Sequence, residues 1–328
     1  MEISLTLEYT ESGSLADRLT AIAQAGIPAV NLGTSQIRHL LRSKTEETRL
    51  LSGQIDSRGL AVDWVHAPFR IPVIYDAGSE MYHLSMGAMK CVVDIAAELG
   101  GDTVIIHAMN EDFPEDIVTR PYLGQLVESY TVLVSYARER GVKVAVENID
   151  EPYSFPILQT LFDHVNELTF CFDTGHAQKY QVWNHYIPRY IGRISALHIH
   201  DNHGEIDEHL IPGDGIIDFG DAEGAIKLVE EVGQGTALGR ILGGGAALTA
   251  KAFGIERAPV VKGQAMPAYD PRTVQGIGVT YATTTIQYRV QSRSGRHQEK
   301  SGSHGPCARL ETADALFGPG HTVNGRGG

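Results

Sequence analysis

Cysteine is scarce: Cys91, Cys171 and Cys307 are spread along 328 residues and form no CxxC pair. Such spacing gives no expectation of a disulfide framework or a structural zinc knuckle. Basic charge is also short, with 27 Lys and Arg against 40 Asp and Glu and a formal net charge of -13. Non-specific nucleic-acid affinity rests on neutralising phosphates with cations, so the deficit argues against it. It does not bar an enzyme that grips nucleic acid through metal ions. No apolar run is long enough to span a membrane. The opening MEISLTLEYT has neither a basic n-region nor a signal-type apolar stretch. The expected location is therefore the cytoplasm. Oligomeric state leaves no mark in the sequence.

What is present is a sizeable apolar complement, 42% of the chain, arranged in a repeating order. From Met1 to about Glu231, short apolar runs (ISLTL, AVNL, VDWVHA, TVIIHA, VKVAVEN, LTFCFD, ISALHIH) alternate with stretches of helical periodicity such as EMYHLSMGAMKCVVDIAAELGG. Continuous apolar runs suit strands buried on both faces, as in parallel sheets. Several intervening helices end in glycine, at Gly26, Gly59, Gly100 and Gly141, where C-caps belong. Repeated strand–helix units of this kind predict a parallel α/β domain, a barrel or a doubly wound sheet.

The polar residues of interest fall at the C-terminal ends of these strands. His66 ends VDWVHA, His107 ends TVIIHA, Glu147 ends VKVAVEN, Asp173 ends LTFCFD and His198 ends ISALH, with His176 three residues after Asp173. Parallel α/β enzymes build their sites at this edge. His, Glu and Asp are nitrogen and oxygen ligands for zinc, manganese and similar ions. Beyond His198 comes LHIHDNHGEIDEH, which holds four histidines and four carboxylates, including the pair Asp207 and His209. A lone strand-end histidine is ordinarily a satisfied polar residue; recurrence at five successive strand ends is what raises the expectation of a metal site. His200 shares the face of His198 and is read as support for a ligand. Asp201, Glu205 and Glu208 are expected to be solvated, and His39, His83, His164, His185 and His203 to be surface or structural.

The phrases HAPF, IIHA, VENI, CFDTGHA and LHIHDNHGEIDEHLIPGDGIIDF resemble the xylose isomerase-like TIM-barrel superfamily over about Met1 to Glu231. That superfamily includes sugar-phosphate isomerases and epimerases and apurinic endonucleases of the endonuclease IV type. The resemblance implies a (β/α)8-type barrel in which Glu147, Asp173 and His198 form the shared metal-binding core. His66, His107, His176, Asp207 and His209 match the extra ligand positions of the multi-zinc, endonuclease-like members. The implied cofactor is a divalent metal: Zn, Mn, Mg or Co. The implied activity is a metal-dependent isomerase or epimerase that acts on a sugar or sugar phosphate through an enediolate, with Glu147 as one proton-moving carboxylate. The alternative is an endonuclease IV-like, zinc-dependent phosphodiester hydrolase. The acidic balance and the lack of a basic stripe favour a small sugar-like substrate.

Only seven strands can be counted in this zone. The family would next supply an eighth strand ending in a glutamate that completes the metal site. No such strand follows, and Val260-Val261 leads only into Lys262-Gly263. Residues from about 232 to 284 instead resemble an internal piece of the aldehyde ferredoxin oxidoreductases, on the phrases VKGQAMPAYDPR and GIGVTYATT. That family's cofactor domain and cluster cysteines are absent, so no pterin, tungsten, molybdenum or cluster residue is carried over. GQGTALG spaces its glycines as GxGxxxG after a helix and is no dinucleotide loop. Residues 285–328 resemble neither family, hold six Lys and Arg against three Asp and Glu, and carry few large apolar residues. They are expected to be disordered. Two abrupt changes of character suggest a barrel fused to an oxidoreductase fragment and then read out of frame. A folded but inactive barrel with an open seam is the corresponding non-enzymatic reading.

Overall fold

The seven apolar runs become seven parallel strands, each followed by helix until the last. The structure, a computed structural model, describes residues 3–8, 13–43, 45–69, 80–108, 120–149, 151, 154–210, 213–217 and 286–289. Strands β1 (Ile3–Thr6), β2 (Ala29–Leu32), β3 (Ala61–His66), β4 (Thr103–His107), β5 (Lys143–Glu147), β6 (Thr169–Asp173) and β7 (Ile194–Ile199) lie side by side in chain order. Helices α1 (Leu15–Gln24), α2 (Thr34–Arg42), α3 (Thr45–Asp56), α4 (Glu80–Leu99), α5 (Arg120–Arg138), α6 (Ser154–His164), α7 (Thr174–Lys179) and α8 (Trp183–Tyr190) run between them. Local sequence explains the boundaries. Ser14 caps α1 by accepting from the Asp17 N–H, while Asp17 accepts the Ser14 N–H in return, a reciprocal box that satisfies two orphan donors. Gly26, Gly59, Gly100 and Gly141 all take positive φ just past helix ends, as expected of C-caps.

The barrel is closed, and its eighth place is held by an unexpected segment. β8 (Ile286–Arg289) pairs antiparallel with both β1 and β7, with Gln287 opposite Ser4 on one side and His198 on the other. The expectation of a disordered tail is corrected over these four residues; the rest of 285–328 lies outside the described residues, as does all of 232–284. The open seam is corrected too. Unpaired backbone on two sheet edges is costly, and an extended IQYR segment satisfies both edges at once. The parallel, glutamate-bearing eighth strand of the family is not formed by this segment, whose four residues include no carboxylate. Cys171 in β6 is free and buried.

Two apolar layers place the site. The larger lies between the sheet and the helices and includes Val104, Val146, Phe172 and Leu197. The smaller fills the barrel interior: Trp64, Ile105, Ala145, Cys171 and Ala196. Successive strand residues alternate faces, so the residue two positions further on each strand points inward at the next level. Those residues are His66, His107, Glu147, Asp173 and His198. The one bulky indole is matched by Ala145, Cys171 and Ala196, small enough for the layer to fill without spreading the strands. The interior is thus an apolar floor with a ring of metal-ligand side chains directly above it, at the C-terminal mouth.

Candidate metal centre

Glu147 is the hub. Its buried carboxylate is met by His66 Nε2 at 3.0 Å and His107 Nε2 at 3.2 Å on Oε2. On Oε1 it meets His198 Nδ1 at 2.9 Å and His176 Nδ1 at 3.5 Å. Asp173 stands beside it, 3.4 Å from His198 Nδ1, and both its oxygens face His200 Nε2 at 3.1 and 3.0 Å. A second group lies further out: Asp207 Oδ2 is 2.9 Å from His209 Nε2 and 3.3 Å from His176 Nε2. All eight residues that the sequence and the resemblance single out therefore meet at one mouth. The surface assignments of His39, His83, His164, His185 and His203 agree with their exposure.

Local structure explains how each candidate ligand is held. Asp173 is the N-cap of α7 and accepts the backbone N–H of His176 at 2.7 Å, so the DTGH spacing folds His176 back over its own strand end. Asn148, next to the hub, accepts the Asp173 N–H at 2.8 Å and donates to the Asp173 carbonyl at 3.0 Å, locking β5 to β6. His66 gives its Nδ1–H to the Ala67 carbonyl at 2.8 Å, and His176 gives its own to the Asn148 carbonyl at 2.7 Å. Each ring is then fixed with Nε2 turned to the centre, the outer-shell arrangement typical of metal-bound imidazoles.

Three residues were read differently from the sequence. Asp201 is not solvated: it is fully buried, and its carboxylate accepts backbone N–H groups from Asn202, Gly213, Gly215 and Ile217 at 2.9–3.0 Å. Asp201 and Leu210 also exchange backbone hydrogen bonds at 2.8 Å each way. This clasp brings the segment bearing Asp207 and His209 back to the mouth. His200, read as support, does bond Asp173, yet it also stands with Asp207 and His209 in one ligand-capable group. Phe69, in HAPF, carries no signal of its own in the sequence. It is 46% exposed, stacks on His107 with ring centroids 4.7 Å apart and lies edge-on to His66 at 5.1 Å. An exposed aromatic held against two candidate ligand histidines is visible only once the strands are assembled.

The cluster suits divalent ions. Within 4 Å, the partners of Glu147, Asp173 and Asp207 among the described residues are histidines, with no Lys or Arg to neutralise three carboxylates. Among the described residues, three buried atoms at the mouth, His198 Nε2, His200 Nδ1 and Asp207 Oδ1, have no hydrogen-bond partner. Buried polar groups are rarely left so without an ion or water to meet them. Donor sets close enough to share an ion are His66–His107–Glu147, Glu147–Asp173–His176 and His200–Asp207–His209. Burial would push the Glu147 carboxyl up, but His198 and His107 outweigh it and hold it well below the ordinary carboxylate range. Asp173, opposed by burial in the same way, is held low by His176 and His200. Burial pulls His107 below its ordinary value despite Glu147 beside it, favouring the neutral ring that a metal requires. Cys171 also neighbours Glu147 and His198, but burial pushes its thiol up to about 12. It lies in the apolar floor and packs as a neutral group.

Comparison with known proteins agrees with this architecture. The sequence model of the xylose isomerase-like TIM barrel family matches residues 19–231, and that of aldehyde ferredoxin oxidoreductase domains 2 and 3 matches residues 198–303. The Methanocaldococcus jannaschii protein MJ1614 is 25% identical over 152 residues, which are 45% of this chain and 59% of that protein. The chain spans about half the length of the curated relatives it matches, 45–59% of each. Among solved structures, a D-tagatose 3-epimerase-like protein superposes with a TM-score of 0.58 at 20% identity, covering 71% of this chain and 87% of its own. An L-ribulose 3-epimerase superposes with a TM-score of 0.58 at 15% identity, covering 70% of this chain and 78% of its own. At such identities the likeness shows the fold. No helix among the described residues is long and apolar enough to cross a membrane.

Proposed function

Since the chain belongs to the xylose isomerase-like TIM barrel family, we propose that its barrel is a divalent-metal-dependent isomerase or epimerase for a sugar or sugar phosphate. The observation that carries this reading is the convergence of Glu147, Asp173 and His198 above the apolar floor, at the barrel face where this fold keeps its active sites. The sugar-epimerase neighbours and the acidic net charge support a small neutral or phosphorylated carbohydrate over a nucleic acid.

A divalent ion held by Glu147, Asp173 and His198 would polarise adjacent sugar oxygens and favour negative charge developing there. The chain's own groups do the rest. Glu147, kept ionised by the histidines around it, accepts a proton from a substrate carbon placed over the mouth. His66 and His107, both within 3.2 Å of Glu147, orient that carboxylate. Phe69 offers an apolar face that orders the substrate and excludes water. Two-sided proton transfer in the single-metal epimerases uses a second carboxylate from the final strand, which β8 does not supply. Turnover is therefore expected to be impaired unless another group takes that role.

One observation favours a second reading: the outer group around Asp207 adds metal-ligand capacity that a single-ion epimerase does not need. It fits an endonuclease IV-like phosphodiester hydrolase with clustered zinc ions. Elemental analysis of the purified full chain, followed by assays of sugar epimerisation and abasic-site cleavage, separates the two. Metal-dependent epimerisation that vanishes in Glu147→Gln is the expected result. Cleavage of abasic DNA with no sugar turnover would replace the first reading with the second.

A further inference from the structure

A carboxylate just beyond β1 faces the mouth from the side that Glu147 does not. Leu5, Leu7, Val30 and Leu32 belong to the apolar layer under the helices. By alternation, Ser4, Thr6, Asn31 and Gly33 face the barrel interior. Asn31 Nδ2 donates to Ser4 Oγ at 3.2 Å on that inner face. The pairing of the two strands runs on past β1, since the Leu7 N–H bonds the Asn31 carbonyl at 3.0 Å. Glu8 follows, its N–H held by Thr6 Oγ1 at 3.2 Å.

Gly33 fixes the place of the Glu8 carboxylate. A Cβ at Gly33 would overlap the Oε2 and Cδ atoms of Glu8. The carboxylate therefore fills the inward side-chain position at the end of β2. Gly33 has φ -78°, open to any residue, so what this glycine supplies is space. At the N-terminus of α2, Glu8 Oε1 accepts the Ser35 N–H at 2.9 Å and the Ser35 hydroxyl. A role in holding the helix end is complete with that oxygen alone. Oε2 makes no hydrogen bond among the described residues, and Glu8 is only half-buried.

The ring order sets what lies opposite. In the closed order β1 to β8, β1 stands four places from β5, and β2 four places from β6, half the circumference in each case. Glu147 ends β5 and Asp173 ends β6. Glu8 thus stands across the mouth from the inner group, with the place for substrate between them.

We infer that Glu8 is the second proton-transferring carboxylate of this barrel, taking the role that β8 does not fill. The inference rests on the isomerase or epimerase reading. Glu147 removes the proton from the carbon beside the substrate carbonyl, and the C–H electron pair moves into the enediolate. The Glu8 carboxylic acid gives its proton to the opposite face of that carbon, forming the new C–H bond as the carbonyl returns. Glu147 ends protonated and Glu8 ionised; proton exchange with water, or the reverse reaction, restores the starting forms.

The test follows both members of an epimer pair in D2O with the metal-loaded full chain. The probes are D-fructose and D-psicose, free and phosphorylated at the terminal carbon. The parent chain is expected to exchange the labile C–H of both epimers and to interconvert them. Glu8→Gln keeps an amide oxygen for Ser35 but removes the acid. Epimerisation is expected to fall about 100-fold or more, while exchange persists in one epimer only, the one whose C–H faces Glu147. Metal content and melting temperature should match the parent. Unchanged epimerisation, equal loss of exchange from both epimers, or loss of the metal overturns the inference. If Glu8→Gln does not fold, Gly33→Ala decides by the same one-sided pattern, because its methyl takes the place of the carboxylate. A parent chain that exchanges neither epimer would sink the proposed function, and the inference with it; turnover by the parent with a two-sided pattern in Glu8→Gln sinks the inference alone.

Discussion

Asp201→Asn tests whether one buried carboxylate holds the outer half of the site. Its two oxygens divide the work evenly: Oδ1 accepts from Asn202 and Ile217, and Oδ2 from Gly213 and Gly215. An amide offers one oxygen, so whichever way it turns, two backbone N–H groups face an NH2 in place of an acceptor. Each buried donor left unmet costs about 1–3 kcal/mol, giving roughly 2–6 kcal/mol for the pair. A surface segment cannot carry that penalty, and it is expected to open locally while the barrel stays folded. Hydrogen exchange of peptides covering residues 201–217 should accelerate roughly 30-fold or more. The melting temperature should move little, and an ion held by the outer group should be lost with the displaced Asp207 and His209. Wild-type exchange rates together with a wild-type ion count would refute the clasp.

Three other outcomes are expected. In Gly175→Ala the new Cβ would lie 2.0 Å from His200 Cε1, so the ring must leave Asp173; metal affinity measured by dialysis should drop about 10–100-fold, as when an outer-shell partner of a metal ligand is lost. Burial opposes charge on His176, but Asp173 and Asp207 outweigh it and raise its pKa from 6.5 to about 10, so at pH 8 an ion must displace a proton to bind there. Titration calorimetry in buffers of different ionisation enthalpy should therefore report net proton release; in the metal-free chain the stabilising charge of His176 is fully present below pH 6.5 and is lost as pH rises through about 10. Phe69→Ala should raise KM for the sugar with a smaller effect on kcat and none on ion count, since the ring borders the ligands without binding metal.

How much of this could be read from the chain differs from residue to residue. The strands and the inward ring of His66, His107, Glu147, Asp173 and His198 are legible because one rule governs both: in a parallel barrel, the residue two beyond an interior apolar position faces the same cavity. VDWVH, TVIIH and VKVAVE state that rule in their letters. Asp201 was not legible. Its burial depends on donors 12–16 residues downstream, and nothing in DNHGEIDEH separates a carboxylate that collects backbone N–H groups from one that meets water. Phe69 escaped for a related reason, since its contacts come from two other strands. β8 was hidden more deeply. IQYR has ordinary strand composition within a Gly- and Ser-rich stretch, and only the two unpaired edges of a seven-stranded ring give it a place.

The two functional readings make different demands on the same residues, and β8 bears on both. A clustered-zinc hydrolase needs its outer ion open, to activate water or hold a phosphate oxygen. Three donors, His200, Asp207 and His209, stand close enough to share one, which would leave it a fourth position. An epimerase needs only the inner ion, but it needs a carboxylate on each side of the substrate. Here Glu147 is present on one side and the closing strand brings none to the other, which leaves that side to Glu8. Without Glu8, proton removal should therefore survive better than proton return to the opposite face. Incubation of Glu8→Gln with substrate in D2O should then show exchange of the labile C–H that outpaces epimer formation. Equal rates of exchange and epimerisation in that variant would mean that a second proton carrier, neither Glu8 nor a residue of β8, completes the site.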